Sequence, residues 1–251
     1  MSLVLVQQTP SGIVLASDSR FILNYPEHFE PRKKIEDNGF KLFNLYQFAA
    51  IGITGQIATE DGNFSKRLKL MERLTRNPKR LPINSHLQAG LEFKKELRLC
   101  AEAAFNSSKI PEFEVVVSAY LFQRGDMVPS IWKSRSPEFE MDRLYLRDAI
   151  GSIGDDEYID EACEAAKRNI PNYVPKSSNQ RTIDYLLEVF KAVNAISFKQ
   201  NRLHPTIGGA IDVLLLRPDK DPKWISRKDV NGRTFKDKFY LNCRTRAKDS
   251  V

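Results

Sequence analysis

A run from Leu3 to Gln8 is apolar through Val6, and a second run follows from Ile13 to Ala16, with Pro10-Ser11-Gly12 between them. This spacing predicts the two strands of a hairpin. The second run is almost wholly apolar, as in a strand covered on both faces. A loop with two prolines spans Asn24 to Pro31, and Lys33-Lys34-Ile35 returns to extended structure. Asp37-Asn38-Gly39 is a tight-turn signal, followed by Phe40 to Leu45 and by the small, apolar run Phe48 to Thr54 that ends on Gly55.

Beyond Ile57 the period lengthens. Phe64, Leu68, Met71 and Leu74 recur at three- and four-residue steps among lysines and arginines, which predicts an amphipathic helix stopped at Asn77-Pro78. A second helix is expected from about Asn84 to Phe105 on Leu87, Leu91, Leu97, Ala101 and Ala104. Strands resume over Phe113 to Phe122 and Val128 to Lys133 around the turn Arg124-Gly125-Asp126. Arg143 to Ile150 reads as extended and closes on Gly151-Ser152-Ile153-Gly154. Two more helices are expected, Glu157 to Asn169 and Thr182 to Gln200, joined by the polar linker Pro171 to Arg181. Thr206 to Gly209 then leads into the apolar strand Ala210 to Leu216. A hairpin at Val230-Asn231-Gly232-Arg233 and a short strand from Phe239 to Cys243 complete the chain.

Helices thus come in pairs between blocks of strands, which argues against a doubly wound parallel sheet. Two antiparallel sheets stacked face to face, with a helix pair on each outer face, bury every apolar stripe. A single α+β domain over residues 1–251 is expected, with a basic extension from about residue 217. That last part carries eleven Lys and Arg against five Asp and Glu, most of the net charge of +7. No aromatic-rich or Gly-rich pattern accompanies the charge, so it reads as a solvated tail and edge rather than a nucleic-acid surface. No apolar run reaches the roughly 20 residues of a membrane helix. Cys100, Cys163 and Cys243 lack metal-ligand spacing, and His28, His86 and His204 share no motif. Neither a cofactor nor a metal is expected, and a reducing cytoplasm fits the unpaired thiols.

The candidate chemistry lies at the start of the chain. Ser2 stands sixteen residues before Asp18, and Asp18 sixteen before Lys34. If Met1 is removed, Ser2 carries a hydroxyl and a free α-amine on one residue, a nucleophile with its base attached. A free α-amine has an unperturbed pKa of roughly 7.7–8.0, and a neighbouring ammonium lowers it further. Asp18 would hold that ammonium, which is costly to bury without a partner.

Met1 to Gly55 resembles the N-terminal half of a proteasome-type β-subunit of the N-terminal-nucleophile hydrolases, the group of the bacterial HslV peptidase and the Anbu proteasome homologues. Gly12-Ile-Val-Leu-Ala-Ser-Asp-Ser-Arg20 is the most recognisable wording. The resemblance implies a four-layer αββα sandwich, with Ser2 as nucleophile, Asp18 as its acidic partner, Arg20 as the following arginine and Lys34 as the catalytic lysine. It also implies that the backbone amide of Gly55 faces the oxyanion and that Ser152 supports the N-terminal amine. Peptides or unfolded proteins would be the substrate, in a homo-oligomeric ring served by an ATP-driven unfoldase. Two departures stand out. Ile153 replaces a glycine of the family's Gly-Ser-Gly turn, and Asn172 to Asn179 offers no carboxylate where the family places one after the third helix. Two rival readings follow: a ring or scaffold subunit without activity, and an amidase of small molecules.

Overall fold

The computed structural model describes residues 2–24, 33–36, 39–46, 49–57, 63–74, 85–105, 109–146, 149–154, 157–170, 178–199, 207–218, 220–228 and 234–236. The first hairpin forms as expected. β1 (Leu3–Thr9) and β2 (Gly12–Ser17) pair antiparallel, with Val4 opposite Ser17 and Thr9 opposite Gly12. β3 (Phe21–Asn24) and β4 (Lys33–Glu36) make a separate two-stranded ribbon. β5 (Leu42–Tyr46) and β6 (Ala49–Gly55) follow, then the helices α1 (Phe64–Leu74) and α2 (His86–Ala104). Ser85 caps α2, its hydroxyl accepting from the Gln88 amide at 3.2 Å.

The middle of the chain gives β7 (Phe113–Gln123), β8 (Asp126–Arg135), β9 (Asp142–Leu144) and β10 (Gly151–Gly154). α3 (Ile159–Asn169), α4 (Asn179–Lys199), β11 (Asp212–Arg217), β12 (Lys220–Lys228) and β13 (Thr234–Lys236) complete it. Both sheets are antiparallel. One has six strands in the order β10-β1-β2-β11-β12-β13, the other five in the order β5-β6-β7-β8-β9.

The strand period of two sorts the apolar residues into layers. Leu3, Leu5, Val14, Ala16, Val213 and Leu215 face α3 and α4, packing on Ala162, Ile183 and Leu186. Their neighbours Val4, Val6, Ile13, Leu15, Leu214 and Leu216 point the other way, onto Leu42, Ala50, Val116 and Ile131 of the second sheet. On that sheet Ile51, Ile53, Val115 and Val117 face Phe64, Leu68, Phe93 and Leu97 of α1 and α2. The four-layer αββα sandwich is therefore the observed architecture.

Three local expectations change. Gly151–Gly154 is an edge strand on β1, not a turn, and only Asp142–Leu144 of the preceding stretch is a strand. α4 begins at Asn179, inside the expected polar linker, where the Thr9 hydroxyl donates to Asn179 Oδ1 at 2.6 Å. Lys220–Lys228 is a strand of the six-stranded sheet, not a tail. The turn and stop signals at Asp37-Asn38, Asn77-Pro78 and Val230 to Arg233, most of the loop Asn24 to Pro31, the strand Phe239 to Cys243, and His28 and His204 lie outside the described residues. So do Asn172 to Lys176, Ser177 and Thr206.

Candidate active site

The site assembles where β1 begins and β2 ends. Ser2 is 4% exposed, directly before β1. Because β1 and β2 are antiparallel, the first residues of one meet the last of the other, and a backbone clasp joins them. The Leu3 amide donates to Asp18 Oδ1 at 2.9 Å, and the Asp18 amide donates to the Leu3 carbonyl at 3.3 Å. The other carboxylate oxygen, Oδ2, accepts from the Arg20 amide at 3.1 Å and from the Gly208 amide at 3.3 Å. Three backbone donors thus fix a carboxylate that is wholly buried.

The fourth donor is a lysine ammonium. Lys41 Nζ lies 2.8 Å from Asp18 Oδ1 and donates to the Arg20 carbonyl at 2.6 Å, and the Lys41 and Asp18 side chains are both 0% exposed. The amide next to Ser2 and the Lys41 ammonium therefore share one carboxylate oxygen. A buried ammonium needs such a partner, since removal from water is expensive. Lys34, the lysine expected here, has its side chain outside the described ones. It stands opposite Leu23 in the β3–β4 ribbon, outside both sheets. Lys41 lies seven residues beyond Lys34 in the chain, after the β3–β4 ribbon. The Gly39 amide donates to the Ser19 carbonyl at 2.8 Å, and the Lys41 carbonyl accepts from the Ile53 amide at 2.9 Å. These bonds bring Lys41 under Asp18. A signal for Lys41 was present: it is a lone cation inside Phe40-Lys41-Leu42-Phe43, where the apolar flanks imply burial and burial implies an anion.

Arg20 carries its guanidinium toward β11, Nη1 donating to the Ile207 carbonyl at 3.5 Å. A Cβ on Gly208 would stand 2.4 Å from the Arg20 Cζ, so a larger residue there would push the guanidinium aside.

The second sheet supplies the opposite wall. Gly52 lets β6 approach β1, for a Cβ there would meet Val4 Cγ1 at 2.7 Å. Gly55 ends β6 in exposed, positive-φ backbone (φ 99°) that glycine adopts without strain. Its neighbour Thr54 is buried, and its hydroxyl has no hydrogen-bond partner among the described residues; the same holds for the Ser17 hydroxyl at the end of β2. Ser152 is not brought to Ser2. It pairs with Leu5 and so shares the sheet face that looks to α3 and α4, whereas Ile153 between it and Gly154 belongs to the space between the sheets. Gly154 is the residue that meets Ser2: with φ 97°, a Cβ there would stand 1.9 Å from the Ser2 carbonyl oxygen and 3.1 Å from Thr54 Cβ. The Gly154 amide donates to Glu114 Oε2 at 2.8 Å. Sequence reasoning did not pick out Lys41, Gly154 or Glu114 for the site.

The two described cysteines are not competing nucleophiles. Burial pushes the Cys100 thiol up to about 11 and raises that of Cys163, so both stay protonated near neutral pH. Among the described residues no cluster of three or more His, Cys, Asp or Glu side chains has the geometry of a metal site. No described helix is long and apolar enough to cross a membrane.

No protein-family model and no curated protein matches the chain. Solved structures do match. The Gly-1 mutant of Anbu from Hyphomicrobium sp. strain MC1 is similar over 100% of this chain and 98% of its own, with a TM-score of 0.58 at 14% identity. Anbu, an ancestral β-subunit, from Yersinia bercovieri is similar over 99% of this chain and 95% of its own, with a TM-score of 0.56 at 14% identity. The chain therefore shares the fold of these two Anbu structures.

Proposed function

We propose that the chain is an N-terminal-serine hydrolase of peptide bonds, with Ser2 as nucleophile, Lys41 and Asp18 as its electrostatic support, and Gly55 as an oxyanion donor. The observation that carries this reading is the shared carboxylate oxygen, Asp18 Oδ1, which ties the Leu3 amide and the buried Lys41 ammonium to the same point beside Ser2. Removal of Met1 frees the Ser2 nitrogen. The neutral amine then accepts the hydroxyl proton as Ser2 Oγ attacks the peptide carbonyl carbon. The carbonyl oxygen takes the negative charge and is met by the Gly55 amide. The C–N bond breaks, the amine passes its proton to the leaving nitrogen, and an ester to Ser2 remains. Water attacks that ester with the amine again as base, which restores the hydroxyl. Lys41 disfavours a protonated amine at rest, since neighbouring positive charges oppose each other.

The likeness to Anbu supports a homo-oligomeric assembly, to which an ATP-driven unfoldase would deliver unfolded protein. A cytoplasmic setting keeps the free thiols reduced. The test is hydrolysis of a fluorogenic peptide panel by protein shown by intact mass to lack Met1. Ser2→Ala and Lys41→Ala are expected to abolish turnover, and parental turnover by Ser2→Ala overturns the reading. A second reading, a ring subunit without activity, is favoured by the near-complete burial of Ser2 and by the two sequence departures. Covalent labelling of Ser2 by a hydroxyl-directed peptide inhibitor excludes it.

A further inference from the structure

β10 is four residues long, lies at the edge of the six-stranded sheet, and is held there by one ladder, to β1. Short edge strands with a single partner open most easily. Yet this strand carries the backbone that abuts Ser2. A carboxylate from the other sheet restrains it. Glu114 stands on β7 directly opposite Thr54 of β6, and its Oε2 accepts the Gly154 amide at 2.8 Å. Its Oε1 lies 3.1 Å from Lys133 Nζ on β8. The carboxylate is thereby aimed by a cation on its own sheet and bonded to a strand of the facing one. Gly154 transmits the restraint because it has no free space: the Ser2 carbonyl lies against its Cα on one side and Thr54 against it on another.

We infer that Glu114 is a positioning residue that clamps β10 onto the Ser2 backbone and so fixes the nucleophile between Asp18 and Gly55. The catalytic consequence rests on the hydrolase reading; the clamp itself does not. A charge-assisted bond to an amide is stronger than a neutral one, and it is the right kind of restraint for a strand that otherwise frays.

The experiment compares the parent with Glu114→Ala, Glu114→Gln and, as a control, Glu112→Ala, which removes only the exposed pair with Arg135. Amide exchange is followed in peptides covering residues 149–154 and 2–6, together with kcat and KM of Met1-free protein. In Glu114→Ala, exchange in both peptides is expected to rise about 10- to 100-fold, the span of one charge-assisted hydrogen bond, and kcat to fall by a similar factor at unchanged KM. Glu114→Gln keeps an acceptor for the Gly154 amide and is expected to recover most of the protection, which a generally damaged fold would not do. Glu112→Ala matches the parent. Parental exchange in Glu114→Ala overturns the clamp, and parental kcat in a protein whose exchange has risen overturns its role in positioning. A parent that hydrolyses nothing defeats the hydrolase reading while exchange still decides the clamp.

Discussion

Asp18 and Glu72 are both carboxylates that meet cations, and they are built differently. Asp18 is held by three backbone amides and one wholly buried ammonium. Glu72 on α1 is 10% exposed and receives one backbone donor, the Asn44 amide at 3.0 Å, plus two long cations, Lys69 at 3.0 Å and Arg227 at 2.5 Å. Arg227 in turn stacks its guanidinium 4.0 Å above the Trp224 ring. The Glu72 cluster joins α1, β5 and β12 through side chains with rotamer freedom, and water reaches its cations. It is a brace. The Asp18 cluster joins the ends of β1 and β2 through the backbone and leaves its carboxylate no freedom to turn, which is the placement that the proposed nucleophile Ser2 would require. Equal chemistry serves support in one place and placement in the other, and the difference lies in how many donors belong to the backbone.

The comparison breaks most clearly at Lys41. Lys41→Met leaves Asp18 charged and buried without its cation, and a loss of about 3–5 kcal/mol in urea unfolding is expected. Adding Asp18→Asn is expected to recover part of that loss, because the orphaned charge is gone; a double variant no more stable than Lys41→Met shows that the pair is not coupled. Gly154→Ala comes next. Its methyl overlaps the Ser2 carbonyl and its backbone is held at φ 97°, so a loss of about 1–3 kcal/mol is expected, together with loss of peptide turnover. Arg227→Met tests the brace and is expected to cost about 1 kcal/mol, since its charges stay partly solvated and Lys69 remains on Glu72. A cost equal to that of Lys41→Met would erase the distinction.

Two smaller effects sharpen the contrast. Thr54→Val removes a buried hydroxyl that bonds to nothing among the described residues, so stability is expected to hold or rise slightly, with any fall in kcat marking a role at the Ser2 amine. The smallest effect is in pH. His86 Nδ1 lies 2.6 Å from Ser130 Oγ, and burial together with the Arg143 charge lowers its pKa from the ordinary 6.5. The folded chain therefore binds this proton less readily than the unfolded one, and stability falls as pH drops below 6.5 toward the folded value. His86→Gln is expected to flatten that slope in denaturation curves recorded between pH 5 and 8, leaving a clean baseline for the two ion pairs.

The fold was largely legible because its layers follow from local periodicity. Leu3 and Val4 face opposite ways by the geometry of any strand, and pairs of amphipathic helices between strand blocks admit few stackings. The elements misread were those that local pattern does not control. Gly151–Gly154 has turn composition yet is a strand, because β1 needs a partner on its outer edge. Of the candidate site, Ser2 and Asp18 were readable because they end the two strands of one hairpin, whose pairing sets their neighbourhood.

Lys41 was not readable by counting. A residue number measures path length, and the β3–β4 ribbon lies in that path without moving either of its ends. Gly154 and Glu114 were less accessible still, since they come from opposite sheets and meet only across the packed interior. Periodicity and burial, which are properties of neighbours along the chain, determined the layers and the hairpin that presents the serine. Which lysine holds the aspartate, and which carboxylate holds the strand over Ser2, depended on contacts between distant segments, and only packing in three dimensions decides those.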